Sequence, residues 1–352
     1  MTIGKRLEEV IRLIGPLDQE AMQAAQAHSD RLTKPPGSLG QLERLAAQLA
    51  GIGGAFPIAV RKKAIVVMAG DHGVCKEGVS AFPQEVTPQM VLNFLNGGAA
   101  VNVLGRHAGA EIVCVDIGVN SDIAHPELLV RKVRYGTGNI ARGPAMSREE
   151  AVAAIEVGIA VVDELIAQGF ALFATGEMGI GNTTPSAAML QVLGGVASEQ
   201  AVGRGTGLDN AGVSRKRTVI NLAIAVNAPD AGDPLDVLSK LGGLEIAGLV
   251  GVVLGAAANR CPVVIDGFIA SIAALIAYRL APQSRDYMIA SHLSDERGHG
   301  AVLEQLGLEP MITLGMRLGE GTGAAIGMTI IDAAVKLMQE MATFESAGVS
   351  KG

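Results

Sequence analysis

From Ala64 onward the chain alternates short apolar runs with longer stretches of helical spacing, and each short run ends in glycines and polar residues. Runs that short read as strands buried on both faces, and strands joined by helix-length connections pair in parallel. The expected strands are Ala64–Ala69, Ile112–Asp116, Leu172–Thr175, Val263–Ile265 and Met288–Ala290, with a further candidate around Met311–Leu314. The fold class that follows is α/β, a parallel sheet flanked by helices. The residues after each run are GDHG, IGVN, GEMGIGN, DGF, SHLSDE and RLGEGTG. Open sheets of this kind bind ligands at the carboxyl ends of their strands. Ordinary loop punctuation accounts for the glycines at these tips but not for the recurring Glu, Asp and Asn.

The first part of the chain is helical. Apolar spacing near 3.6 marks Lys5 to Ile14 and Asp18 to Leu32; TKPPGSLG then interrupts, and a further helix runs from Gln41 to about Gly51. Pro35 and Pro36 forbid a continuous helix across the interruption. Ile330 to Met341 reads as a last helix whose apolar face packs on these N-terminal helices, and the tail after it frays or crosses to a partner. The expected division is a small helical domain from 1–60 plus 330–352 and an α/β catalytic domain from 61–329. There is no internal repeat.

Composition excludes several function classes. A net charge of −7, no Lys/Arg block and only 3% aromatic residues argue against nucleic-acid binding. Cys75, Cys114 and Cys261 are far apart and no histidine forms HxH or HExxH, so neither a disulfide scaffold nor a metal site is expected. Together with an N-terminal segment that is an amphipathic charged helix rather than a signal peptide, this fits a cytoplasmic protein. The most apolar region, Ile246 to Ala281, is broken by Asn259, Arg260 and Asp266, and no uncharged run reaches the roughly 18 residues a spanning helix needs.

Two stretches frame a carboxylate in glycine. RLGEGTGAA sets Glu320 before an apolar helical run, and GEMGIGNTTP sets Glu177 at the end of a strand-like one. Glycine lets the backbone turn tightly and approach a ligand closely, and a helix start offers unpaired N–H groups. Each stretch alone is equally a base aimed into a pocket or an ordinary helix cap. GNTTP lacks the Walker lysine, yet the amides from Gly179 through Gly181 and Asn182 to Thr183 can cradle an anion. GRGTGLDNAGVSRK offers a second such place, with Gly205, Thr206 and Gly207 amides beside Lys216; Arg215 and Arg217 read as a solvated face. GVSAFPQEVTPQM mixes Phe82, Val86 and Met90 with Ser80, Gln84 and Gln89, which suits either an apolar pocket for a flat ring or a surface loop. Asp71 and His72 in GDHGV are too few for a metal and suit a hydrogen-bonded pair. No GxSxG elbow appears, which disfavours a hydrolase triad.

Taken together, LTKPPGSLGQLE, AGDHGV, GVSAFPQEVTPQMV, VDIGV, GTGNIARGPAMS, GEMGIGNTTP, GTGLDNAGVSRK, PVVIDGFI, SHLSDERGH and RLGEGTGAA run in order from residue 32 past 325. In this the chain resembles the nicotinate-nucleotide–dimethylbenzimidazole phosphoribosyltransferases of cobalamin lower-ligand assembly. The resemblance implies a Rossmann-like sheet, a helical domain from both termini and a homodimer. It implies transfer of the 5-phosphoribosyl group of nicotinate mononucleotide to 5,6-dimethylbenzimidazole, giving α-ribazole 5′-phosphate and nicotinate without a cofactor. Glu320 matches the family's base, and Glu177 would steady positive charge at the ribose C1′ or hold a ribose hydroxyl. Ser80, Phe82, Gln89, Met90 and Leu318 are expected around the benzimidazole, while Asp71 and Ser291 contact ligand or hold loops. The alternatives are a nicotinamide-dependent oxidoreductase, which calls for GxGxxG after the first strand where GDHGVCKEG stands, and a non-catalytic nucleotide sensor.

Overall fold

The computed structural model describes residues 4–56 and 62–350. Six parallel strands form one sheet: β1 (Lys62–Gly70), β2 (Ala110–Gly118), β3 (Leu129–Val130), β4 (Phe170–Met178), β5 (Val263–Ile265) and β6 (Met288–Ala290), in the spatial order β3-β2-β1-β4-β5-β6. This is the Rossmann order, which reverses direction between β1 and β4 and opens a crevice there at the carboxyl ends. Both strands are long enough to bring their tips level, with Met68 opposite Glu177 and Ala69 opposite Met178.

Alternation along β1 divides the core. Ala64, Val66 and Met68 face one layer, with the helices Arg148–Ala167, Leu244–Ala258 and Phe268–Leu280. Ile65, Val67 and Ala69 face the other, with Val86–Leu95, Ala100–Ala108 and Thr322–Glu340. Successive strand side chains point to opposite faces, so a strand apolar throughout requires helices on both sides. The Leu244–Ala258 helix is apolar because it is enclosed: every residue from Leu244 to Ala257 is buried. Among the described residues no helix is long and apolar enough to cross a membrane.

The five strand cores named first from the sequence appear, the first three of them extended at both ends. For β4 the extension matters, because it places Glu177 on the strand itself rather than in the following loop. Met311–Leu314 does not form a strand. Ile312 makes a single parallel bridge to His292, and Gly315, at a φ of +64°, then turns the chain away. The edge strand β3 escapes a sequence reading because it is two residues long in a polar setting. The last helix begins at Thr322, well before Ile330, because its first turn is capped from β5 by a residue distant in sequence.

At the termini, Gln19–Ser29 and Gln41–Gly53 pack on each other and on Thr322–Glu340, whereas Lys5–Leu13 packs against Arg148–Ala167 and Leu244–Ala258 in the opposite layer. We propose a small helical unit drawn from both chain ends around the former group, with Lys5–Leu13 belonging to the sheet's other layer. The boundary expected at 60/61 lies outside the described residues.

Candidate active site

The β1/β4 crevice opens into a cavity of about 440 Å³. Glu177 and Glu320 both line it, along with Gly179, Asn182, Thr183, Gly205 and Thr206 from the glycine-rich segments and Phe82, Val86, Met90 and Leu318. The tips of β4, β5 and β6 thus converge with the segment after β1 that carries Phe82 to Met90 and with the loop before the last helix, as the crevice of a doubly wound sheet requires.

Glu177 is held by its neighbours. Its Oε2 accepts a hydrogen bond from Asn182 Nδ2 at the start of the Thr183–Gly194 helix. Burial drives its carboxyl up to about 8, helped by the negative charges of Glu245 and Asp266 and opposed by the hydrogen bonds from Asn182 and the Glu320 amide. Glu320 is different. Its Oε2 is buried with no hydrogen-bond partner, and burial, then the Asp266 charge, push its carboxyl up to about 7. A buried carboxyl with an unspent oxygen and a pKa near neutrality has the properties of a general base.

The backbone at Glu320 explains how it is aimed. Its φ is +64°, in the left-handed region that L-residues other than glycine avoid, at a cost of about 1–2 kcal/mol. Asp266, just past β5, secures the turn: Oδ2 accepts from the Gly321 amide at 3.1 Å and Oδ1 from the Ala324 amide at 2.9 Å. Gly176 on β4 allows the turn to sit against the strand, since a Cβ there would lie 2.5 Å from the Glu320 carbonyl oxygen.

Behind the Thr183 wall of the cavity, Lys216 is completely buried, and Nζ donates to Thr183 Oγ1 at 2.6 Å. Burial lowers the ammonium to about 8, against the attraction of Glu296. Thr206 ties the two loops over the cavity together: Ser80 Oγ lies 3.1 Å from Thr206 Oγ1, which also accepts from the Ala81 amide at 3.0 Å. The structure therefore brings Lys216 and Ser80 to residues of the cavity wall without placing them in it. Gly181, at a φ of +89°, shapes the turn into the Thr183–Gly194 helix. Gly207 lies in an exposed turn, its amide donating to Arg204 O. Gln89 is exposed and is not part of the cavity wall, because it faces outward on the Val86–Leu95 helix while Val86 and Met90 face inward.

Behind the wall, His72 Nε2 and Glu245 Oε1 are 2.8 Å apart and both buried. Burial alone would lower the His72 ring, but the charge and hydrogen bond of Glu245 outweigh it and raise it. Asp71 Oδ2 accepts from the Asn120 amide at 2.8 Å, and Ser291 Oγ donates to Ile265 O at 2.7 Å. Both side chains hold loops and neither lines the cavity. Burial, then the Asp71 charge, push the Cys75 thiol up to about 12, which disfavours the thiolate, and the thiol donates to Ile180 O. Among the described residues no group of three potential ligands has the arrangement to hold a metal.

Sequence reading singled out none of Asp266, Glu245 or Glu296 as site residues. DGF and SHLSDE did mark the tips that carry Asp266 and Glu296. Glu245 left no signal, for its partner His72 is 173 positions away.

A family model described as "Phosphoribosyltransferase" matches residues 14–349. The nicotinate-nucleotide–dimethylbenzimidazole phosphoribosyltransferase of Chloroflexus aggregans is 56% identical over 346 residues, covering 98% of each chain. Its counterpart in Geobacter sulfurreducens is 54% identical over 347 residues, covering 98% of this chain and 99% of that one. The crystal structure of CobT from Thermus thermophilus superposes with a TM-score of 0.91 at 46% identity, covering 95% of this chain and all of that one. Likeness this high along nearly the whole length leaves the oxidoreductase and sensor readings without support: the chain belongs to the nicotinate-nucleotide–dimethylbenzimidazole phosphoribosyltransferase family.

Proposed function

We propose that this chain transfers the 5-phosphoribosyl group of nicotinate mononucleotide to 5,6-dimethylbenzimidazole, releasing nicotinate and α-ribazole 5′-phosphate. The observation that carries this reading is the pair of buried carboxylates on one cavity that apolar side chains also line, with a buried lysine behind its Thr183 wall. The apolar side chains Phe82, Val86, Met90 and Leu318 suit a flat heterocycle; Thr183, Gly205 and Lys216 suit a phosphate.

The chemistry needs only what these residues supply. The pyridinium leaves C1′ with its bonding electrons and becomes a neutral ring nitrogen, so no strong acid is required. The benzimidazole nitrogen lone pair attacks C1′ from the opposite face, which inverts β to α. The other benzimidazole nitrogen loses its proton to Glu320, which prevents a cationic product ring. Glu177, on the same cavity, steadies positive charge building on C1′ or holds a ribose hydroxyl. Asn182 orients Glu177 through its amide. Lys216, behind Thr183, supplies the phosphate's counter-charge.

The test is chromatographic: purified protein with both substrates, following nicotinate and ribazole phosphate together. Equal, enzyme-dependent appearance of both is expected. Nicotinate without the ribazole would replace this reading with hydrolysis or another acceptor. We also propose a cytoplasmic homodimer. The family resemblance supports the dimer, as do the exposed apolar side chains Phe82, Leu314 and Leu318. Sedimentation showing a monomer at working concentrations would remove the dimer.

A further inference from the structure

Glu296 has no part in the reaction as written, yet it lines the same cavity as Glu177 and Glu320. It stands beside the Gly205 turn assigned above to phosphate. Its Oε1 accepts from the Gly205 amide at 3.3 Å. The same turn is clasped from the other side by Arg317, whose Nη1 donates to Gly205 O at 3.2 Å. Lys216 Nζ is close by, 3.3 Å from the point where a Cβ on Gly205 would sit. Gly203 makes room for the carboxylate, for a Cβ there would lie 2.2 Å from Glu296 Oε1. Burial raises the Glu296 carboxyl above its ordinary value, Lys216, the Gly205 amide and Arg317 draw it back toward the ionised form, and Asp295 opposes them.

One carboxylate therefore rests among a backbone N–H and two cations. These are the donors an anionic ligand needs. We propose that Glu296 is an internal competitor for the substrate's 5′-phosphate, sharing its amide and its cations, and so sets how tightly phosphorylated ligands are held. The proposal rests on the phosphate reading above and deepens it.

The physical reason is charge balance. A phosphate monoester carries about −1.5 to −2 at neutral pH. Against Lys216 and Arg317 alone it would be close to neutralised. With Glu296 ionised in the same space, the phosphate meets a smaller net positive charge and must displace the carboxylate from the Gly205 amide. Substrate and product carry the same phosphate, so a site that gripped it without opposition would also retain product. Glu296 is thus a residue that limits affinity at the phosphate end without touching the reacting atoms.

The experiment compares the wild type with Glu296→Gln and Glu296→Asp. Inorganic phosphate serves as a competitive inhibitor against nicotinate mononucleotide, and the unphosphorylated nucleoside serves as an alternative substrate. Glu296→Gln removes the charge and keeps the shape. It should lower the inhibition constant for phosphate and the KM for the nucleotide by about tenfold, the scale of one charge–charge interaction in a partly buried site. The kcat/KM for the nucleoside should stay within about twofold of wild type. Glu296→Asp keeps the charge but withdraws it from Gly205, and should fall between the two; it carries the test if the Gln variant does not fold.

An unchanged or raised phosphate constant in a folded variant would overturn the proposal, making Glu296 a prop for the Gly205 turn. Equal gains for nucleotide and nucleoside would also overturn it, because they signal a general loosening. Lys216→Ala separates the two levels. If it leaves phosphate inhibition untouched, the error lies in the phosphate subsite; if it abolishes inhibition while Glu296→Gln does nothing, only the competitor role fails.

Discussion

Glu320 and Glu177 carry the same functional group in one cavity, and their surroundings give them different work. Glu177 is engaged by Asn182 and by the Glu320 amide; Glu320 has a free buried oxygen and a pKa near 7. As a base Glu320 works ionised, so kcat should climb as pH rises through about 7 and level off above it. Glu320→Gln should lower kcat by roughly two to four orders of magnitude, the span usual for a general base, and abolish that limb of the profile. A loss under threefold in steady-state assays would remove Glu320 from the role. Lys216→Ala should raise the KM for nicotinate mononucleotide while leaving the unphosphorylated nucleoside little affected. Equal damage to both substrates would contradict a phosphate contact.

The element that aims Glu320 is the junction between β5 and the Thr322–Glu340 helix. Asp266 closes it with two amide hydrogen bonds and faces the first helical turn, where a negative charge is favoured by the helix dipole. His292 packs on the same turn, since a Cβ on Gly323 would lie 1.9 Å from His292 Nδ1. Asp266→Asn loses an acceptor at one of the two amides and removes the charge that helps raise Glu320. The expected result is a lower kcat together with a shift of its acidic limb toward lower pH. A fall in kcat with the limb unmoved, measured across the same buffers, would mean that Asp266 acts on geometry alone. Sequence had placed the strand here, because it is written in local apolar spacing, but it had started the helix at Ile330 rather than Thr322. The cap was not legible: Asp266 meets Ala324 across 58 positions.

At the scale of the whole molecule, the site puts buried carboxyls into the sheet's core and stability depends on their charge. Glu177 has its folded pKa raised from 4.5 to about 8. The folded state therefore binds the proton more tightly than the unfolded chain, so this group's contribution is fully present below about 4.5 and is lost as pH rises through about 8. Glu177→Gln, which keeps an acceptor for Asn182, should melt above wild type at pH 8.5 and lose that advantage toward pH 5, as followed by thermal denaturation. An equal difference at both values would show that Glu177 is not the titrating group. The sequence by itself determined the alternation of strand and helix, hence a parallel sheet, and placed Glu177 and Glu320 in glycine frames, because strand burial and backbone freedom are local properties written residue by residue. Only the tertiary structure decided which tips meet. It set Gln89 outside the cavity wall, buried Lys216 behind Thr183 and pointed Glu296 at Gly205, because the reversal of strand order between β1 and β4 and the distant caps that fix each turn arise only when the chain has closed on itself.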